Sequence, residues 1–212
     1  LRLWGEIKTG IGKSIKEAGP ARSIGVDTWG VDYGLVAADG ALVGNPVHYR
    51  DSRTDGILEA AFAMVPKEEI YQRTGLQFLV FNTLFQLLAA KRKRWEAAFA
   101  GADKMLLVPD LLNSFLTGRK VAEYTIASTT QMLDARRQTW DTDLIEKLGL
   151  PTHLLPEVVA TGTCLGPVLP DVAREIGASV DVVATAGHDT GSAVAAVPAL
   201  GGDDWCYISS GT

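Results

Sequence analysis

The sequence predicts an α/β fold in which a mixed sheet carries helices on both faces. Three observations lead there. Short apolar runs alternate with helical stretches along the chain, the pattern of a layered α/β domain. Two polar, glycine-bearing segments each follow an apolar run, as ligand-binding turns do at the carboxyl edge of a sheet. Asp39-Gly40 lies between two apolar runs and signals a hairpin, which makes the sheet mixed rather than purely parallel.

The elements follow in order. Ile7, Ile11 and Ile15 recur every four residues and predict an amphipathic helix over residues 1–17, ended by Gly19-Pro20. Residues 23–27 read as a short strand and residues 32–47 as the hairpin. Residues 55–64 and 67–73 are helical in pattern, and residues 81–99 read as one longer helix rich in Leu, Ala and Lys. Residues 105–109 form a candidate buried strand, and 110–116 a short helix closed by Thr117-Gly118. Residues 124–132 suggest a helix start and a loop. Residues 141–148 are a helix with Gly149 at its end and Pro151 beyond, the expected order of stop signals. Residues 151–170 read as loop, 171–176 as helix, 180–186 as strand, 190–196 as a small-residue helix and 205–209 as a further strand. No internal repeat or low-complexity segment interrupts this series.

Composition narrows the function classes. Of 212 residues, 47% are hydrophobic and the net charge is −5, which excludes a disordered chain and argues against a dedicated nucleic-acid binder. The densest basic run, Lys91-Arg92-Lys93-Arg94, reads as a solvated helix face. Cys164 and Cys206 read as free thiols in a reducing compartment. No run of about 18 apolar residues is present, so no membrane span is expected. The first residues have no signal-peptide pattern and no Met. The expectation is an internal piece of a longer, cytoplasmic protein.

Two segments could carry chemistry. Gly187-His188-Asp189-Thr190-Gly191 follows an apolar run and opens a helix, which places polar side chains and free N–H groups at a sheet edge. Asp189 could act as a general base or hold a metal, and His188 and Thr190 could bond a polyol. The same residues could equally serve as a helix cap. Asp27-Thr28-Trp29-Gly30-Val31-Asp32-Tyr33 crowds two carboxylates and two aromatics at a strand end, a mixture suited to a sugar's hydroxyl edges and C–H faces. It could also be a bend in which Gly30 supplies an unusual dihedral. Gly12-Lys13-Ser14 is not a phosphate loop, because the glycine required at position 7 is Ile7. His48 and His153 read as structural or exposed, and no Cys/His spacing suggests a zinc site.

Taken together, the segments resemble the FGGY carbohydrate kinases, and within them the rhamnulokinases. The resemblance rests on Asp27-Thr28-Trp29-Gly30-Val31-Asp32, Tyr49-Arg50-Asp51-Ser52-Arg53-Thr54, Gly75-Leu76-Gln77-Phe78, Pro109-Asp110, Leu116-Thr117-Gly118, Glu123-Tyr124-Thr125, His188-Asp189-Thr190 and Ser209-Ser210-Gly211-Thr212, in the family's order. It implies an actin-like, ribonuclease-H-like two-domain fold, with residues 1–200 in the N-terminal sugar-binding domain and residues 201–212 opening the nucleotide-binding domain. It also implies transfer of the ATP γ-phosphoryl group, with Mg²⁺, to the 1-hydroxyl of L-rhamnulose. Asp189 matches the catalytic aspartate, Gly30, His188 and Thr190 match sugar-contacting positions, and Gly211-Thr212 match a turn that meets the nucleotide phosphates. The family's first strands with their phosphate loop, and its adenosine site, have no match here, so residues 1–212 alone are expected to be inactive. Two other readings stay open: a related kinase for L-fuculose, L-xylulose or glycerol, and a non-catalytic sugar-sensing protein on the same fold.

Overall fold

The computed structural model describes residues 2–19, 21–93, 95–199, 202 and 204–210. Helix α1 (Arg2–Ala18) ends on Gly19, whose φ of +82° suits glycine and whose N–H bonds the Ile15 carbonyl at 2.9 Å. Strands β1 (Ser23–Gly25) and β2 (Tyr33–Val36) follow, then helices α2 (Ile57–Met64), α3 (Lys67–Thr74), α4 (Thr83–Arg92) and α5 (Glu96–Gly101). Strand β3 (Lys104–Leu107) runs directly into α6 (Val108–Thr117). Next come β4 (Val121–Glu123), α7 (Tyr124–Ser128), β5 (Leu133–Asp134), β6 (Thr139–Trp140) and α8 (Thr142–Lys147). The last elements are β7 (Glu157–Val159), β8 (Thr163–Pro167), α9 (Pro170–Ile176), β9 (Asp181–Ala184) and α10 (Asp189–Ala195).

The ladders are mixed, as the sequence predicts, and they are small. Strand β9 lies between β1, to which it is parallel, and β8, to which it is antiparallel. Strands β2 and β3 pair antiparallel, β4 and β7 parallel, and β5 and β6 antiparallel. Ile57, Ile70, Leu84, Phe85, Met105 and Leu144 belong to one core, each at most 1% exposed. Burying such a side chain contributes about 1.5–3 kcal/mol. A second core gathers Leu116 of α6, Leu165 of β8, Ile176 of α9 and Val182 of β9, and Trp4, Ile11 and Ile15 of α1 pack onto it. That packing explains the four-residue spacing in α1. No helix among the described residues is long and apolar enough to cross a membrane.

Four local expectations change. The Asp39-Gly40 turn forms, with Gly40 at φ +86°, but its return arm gives only a bridge between Val36 and Leu42 and one bond from Val43 N to Leu35 O. The long partner of β2 is β3, because Met105, Leu106 and Leu107 bury fully there, whereas Gly44 and Pro46 weaken the return arm. The helix expected over 81–99 divides into α4 and α5, since α4 is already buried over residues 83–90 and a break lets Phe99 and Trp95 reach the same core. Residues 151–170 hold β7 and β8, whose three and five residues are too short, and too rich in Thr, Gly and Pro, to show a period of two. Residues 205–209 form no strand: Trp205, Tyr207 and Ile208 are 49%, 52% and 87% exposed, with no neighbouring strand to pair with among the described residues. Cys164 and Cys206 are free and exposed, and Gly12-Lys13-Ser14 sits inside α1.

Candidate functional site

The two polar segments singled out in the sequence meet. The Thr28 N–H bonds the Gly187 carbonyl at 2.9 Å, and the Asp189 N–H bonds the Thr28 carbonyl at 2.9 Å. This bridge continues the β1–β9 pairing beyond both strands and sets Trp29-Gly30 beside His188-Asp189-Thr190. Gly30, His188, Asp189 and Thr190 all line one cleft of about 900 Å³. Asp27 is exposed and is not among the lining residues. Gly211 and Thr212 lie outside the described residues.

Asp189 opens α10, and its side chain is 55% exposed. Its Oδ1 accepts the Thr190 N–H at 2.7 Å and lies 3.4 Å from His188 Nε2, and no donor among the described residues bonds its Oδ2. The carboxylate therefore does part of a capping job while one oxygen stays available to the cleft. Burial holds His188 below its ordinary pKa, against the opposing pull of Asp189 and Glu123. A neutral imidazole at physiological pH can both donate and accept hydrogen bonds.

A buried carboxylate fixes the loop before α10. Glu123 is 1% exposed. Its Oε2 accepts N–H groups from Gly187 at 3.0 Å and Ile126 at 3.2 Å, and the Thr125 hydroxyl at 2.6 Å. Its Oε1 accepts the Thr125 N–H at 3.0 Å and the Thr161 hydroxyl. Thr125 Oγ1 in turn accepts the His188 N–H at 3.3 Å. Gly187 fits here because a Cβ would lie 3.1 Å from Pro109 Cγ and 3.3 Å from Glu123 Oε2. Beneath this, Asp110 accepts the Glu123 N–H at 3.0 Å through Oδ1, while its buried Oδ2 has no partner. Burial pushes the Asp110 carboxyl well above the usual carboxylate range, and the nearby Glu123 charge adds to this.

The opposite wall departs from expectation at one dihedral. Val31, not Gly30, takes the left-handed conformation, with φ of 67°. That is strained for a β-branched residue and persists only where the surroundings enforce it. Thr129 Oγ1 holds the Val31 N–H at 3.3 Å, and the Val31 carbonyl accepts from Thr83 Oγ1 at 2.7 Å and Gln86 Nε2 at 3.1 Å. Space at Gly30 is tight: a Cβ would lie 3.2 Å from Thr129 Cγ2 and Oγ1, so Thr129 would have to give way. The two carboxylates of this segment do not share the cleft. Asp32 is buried and ties back Trp29 by accepting its indole N–H at 3.0 Å, leaving the exposed indole on the cleft.

Further lining groups escaped the residue-level reading. Tyr49, Arg50 and Asp51 face the cleft, with the Tyr49 ring 5.3 Å from Phe81 and the Arg50 guanidinium over it at 5.0 Å. Asn82 holds the neighbouring loop by donating to Gln77 O at 3.0 Å and Gln131 Oε1 at 2.8 Å. The available signal was the density of charged and aromatic residues in Tyr49-Arg50-Asp51, a stretch with no helical or strand period. Aromatic faces, amides and a carboxylate around an open cleft can hold a small polyhydroxylated ligand and take a proton from it.

A rhamnulokinase of Oceanobacillus iheyensis is 41% identical over 211 residues, covering all of this chain and 44% of that protein. One from Bacteroides thetaiotaomicron is 45% identical over 191 residues, covering 90% of this chain and 39% of that protein. The chain thus spans less than half the length of these curated relatives. The fold matches a gluconate kinase of Lactobacillus acidophilus with a TM-score of 0.78 at 21% identity, over 87% of this chain and 38% of that one. It also matches the Plasmodium falciparum glycerol kinase crystallised with ADP, with a TM-score of 0.73 at 16% identity, over 84% and 38%. The model of the N-terminal domain of the FGGY family of carbohydrate kinases matches residues 3–196, and the chain belongs to that family.

Proposed function

We propose that this chain is the sugar-binding part of a kinase that phosphorylates the 1-hydroxyl of L-rhamnulose. The observation that carries the reading is Asp189: a carboxylate with one unengaged oxygen, on a fixed loop, at the edge of a cleft walled by Trp29, Gly30 and Tyr49. The sugar is assigned from the relatives named rhamnulokinase, which match along the whole chain.

In this reading Asp189 accepts the hydroxyl proton while the sugar's O1 forms a bond to the γ-phosphorus of ATP. The bond from that phosphorus to the β–γ bridging oxygen breaks, and ADP leaves. His188 and Thr190 orient the sugar hydroxyls beside the carboxylate. Trp29 and Tyr49 cover its C–H faces. Mg²⁺ neutralises nucleotide charge in such reactions. Among the described residues no three His, Cys, Asp or Glu side chains gather to hold a metal, and Asp189 is the described residue placed to take the proton. Residues 1–200 are assigned to the sugar-binding domain and 201–212 to the start of the nucleotide-binding domain, in a cytoplasmic enzyme. L-Fuculose, L-xylulose or glycerol as substrate, and a non-catalytic sensor, are the less favoured readings, since the relatives of higher identity carry the rhamnulokinase name.

The test is a parallel measurement of kcat/KM for L-rhamnulose, L-fuculose, L-xylulose and glycerol with the full-length protein. L-Rhamnulose should give the highest value. A higher value for another acceptor overturns the substrate, and no turnover of any of them overturns the kinase reading.

A further inference from the structure

The segment that borders the cleft has a second face. Asp51, Ser52, Thr54 and Asp55 turn toward the cleft, whereas Arg53 turns the other way, into a separate cavity of about 510 Å³. Its other walls include Tyr33, Leu35, Val43, Pro46 and Trp95.

The polar groups there are unmet. The Arg53 side chain is only 6% exposed. Its Nη2 donates to Gln86 Oε1 at 2.6 Å, but its Nε and Nη1 have no hydrogen-bond partner among the described residues. The nearest carboxylate, Asp51, is 3.8 Å from Nη1 and is itself about half exposed, at 47%. Gln86 is held in this orientation, because its amide nitrogen donates to the carbonyls of Val31 at 3.1 Å and Phe81 at 2.7 Å, so only its oxygen faces Arg53. The Tyr33 hydroxyl is buried close enough to Arg53 to feel the guanidinium, but makes no well-formed hydrogen bond to it or to any other described residue. Burial pushes it up to about 12, so it remains a donor across the physiological range. The Trp95 ring lies 6.0 Å from the guanidinium carbon.

A buried cation without a well-placed counter-charge is costly, and unmet buried donors are rare enough in folded proteins to require a cause. An incoming oxyanion would supply the missing acceptor and the missing charge together. The guanidinium fork suits a carboxylate or a phosphate equally. Apart from Asn45 the rest of the wall is apolar, and the volume is that of a small-ligand site. We propose that the cavity walled by Tyr33, Arg53 and Trp95 is a second ligand site, for an organic anion whose carboxylate or phosphate head meets Arg53 and Tyr33 and whose apolar body lies against Leu35, Val43 and Trp95. It is distinct from the cleft that holds Asp189, and it does not depend on which sugar that cleft takes.

The test is calorimetric titration of the full-length protein with phenyl phosphate, benzoate and inorganic phosphate. L-Rhamnulose and a non-hydrolysable ATP analogue are kept saturating, so that neither of their sites is open to the probes. Phenyl phosphate or benzoate should bind one to one with a Kd below about 1 mM, and the tighter of the two identifies the head group. Inorganic phosphate should bind about tenfold more weakly or worse, for want of the apolar contact. Arg53→Met should weaken binding about tenfold or more, the effect of losing a charge-assisted bond. Tyr33→Phe removes a hydroxyl with no well-formed hydrogen bond among the described residues, so it should keep the melting temperature while weakening binding severalfold; it decides the matter if Arg53→Met does not fold. The proposal is overturned if neither organic anion binds below about 1 mM, if inorganic phosphate binds as tightly as they do, or if Tyr33→Phe leaves the affinity unchanged.

Discussion

The backbone N–H of Gly187 donates to Oε2 of Glu123 at 3.0 Å, joining residues 64 apart in sequence. One carboxylate thereby serves two elements. It caps α7 through the N–H groups of Thr125 and Ile126, and it fixes the loop that delivers His188 and Asp189 to the cleft. The position of the proposed base is set from a different part of the fold than the strand that precedes it.

Replacing Glu123 tests that dependence. Glu123→Ala removes a helix cap and strands several buried donors, each costing about 1–3 kcal/mol when unmet. The expected loss is about 3 kcal/mol or more by urea titration of the full-length protein. A loss under about 1 kcal/mol would show that water or a relaxed loop replaces the carboxylate. Glu123→Gln keeps the shape but turns an N–H₂ group toward donors, so it should fold and still lower kcat.

Gly30→Ala probes the opposite wall. The added Cβ would press on Thr129, which holds the Val31 N–H and bonds the Ile126 carbonyl at 2.7 Å. Shifting Thr129 releases a backbone held at φ 67° and moves the cleft wall. We expect the KM for the sugar to rise about tenfold, since small displacements of positioning groups are costly. A KM within about twofold of the parent would mean that the wall does not touch the sugar.

These residues show what the sequence carried and what it could not. That His188, Asp189 and Gly30 would line one cleft was readable because each follows an apolar run, and apolar runs in α/β chains become strands whose ends border clefts. Glu123 and Arg53 were not readable as site-shaping groups. Their role lies in partners 64 and 33 residues away, Gly187 and Gln86, and nothing local announces those contacts. The same reason hid β4, β7 and β8, which exist because distant strands pair with them. The positive φ went to Val31 rather than Gly30 because Thr83, Gln86 and Thr129 bond its peptide groups, a tertiary constraint that outweighs local preference.

Asp110 makes a pH prediction with a defined sign. Its folded-state pKa is raised well above 3.8, first by burial and then by the nearby Glu123 charge. The folded state then holds a proton that the unfolded state has released, so stability is full below the unfolded value and falls as pH rises toward the folded one. Asp110→Asn keeps an acceptor for the Glu123 N–H and cannot ionise. Its stability relative to the parent should therefore increase as pH is raised from about 4 toward alkaline values, measured by chemical denaturation across that range. A difference that does not change with pH would mean that Asp110 titrates alike in both states.

Asp189→Asn separates the two jobs the carboxylate can do. Asn retains an oxygen that can accept the Thr190 N–H at the start of α10, so the turn should survive and the melting temperature should move little. It cannot take a proton. Losing a general base typically lowers the rate about 10²–10⁴-fold, and the loss should appear in kcat, while the sugar's Kd by calorimetry stays within about threefold. A pure cap would behave the other way, with a near-normal kcat and any damage confined to stability. Near-parental turnover by Asp189→Asn would therefore remove Asp189 from the chemistry and leave it as part of the helix start.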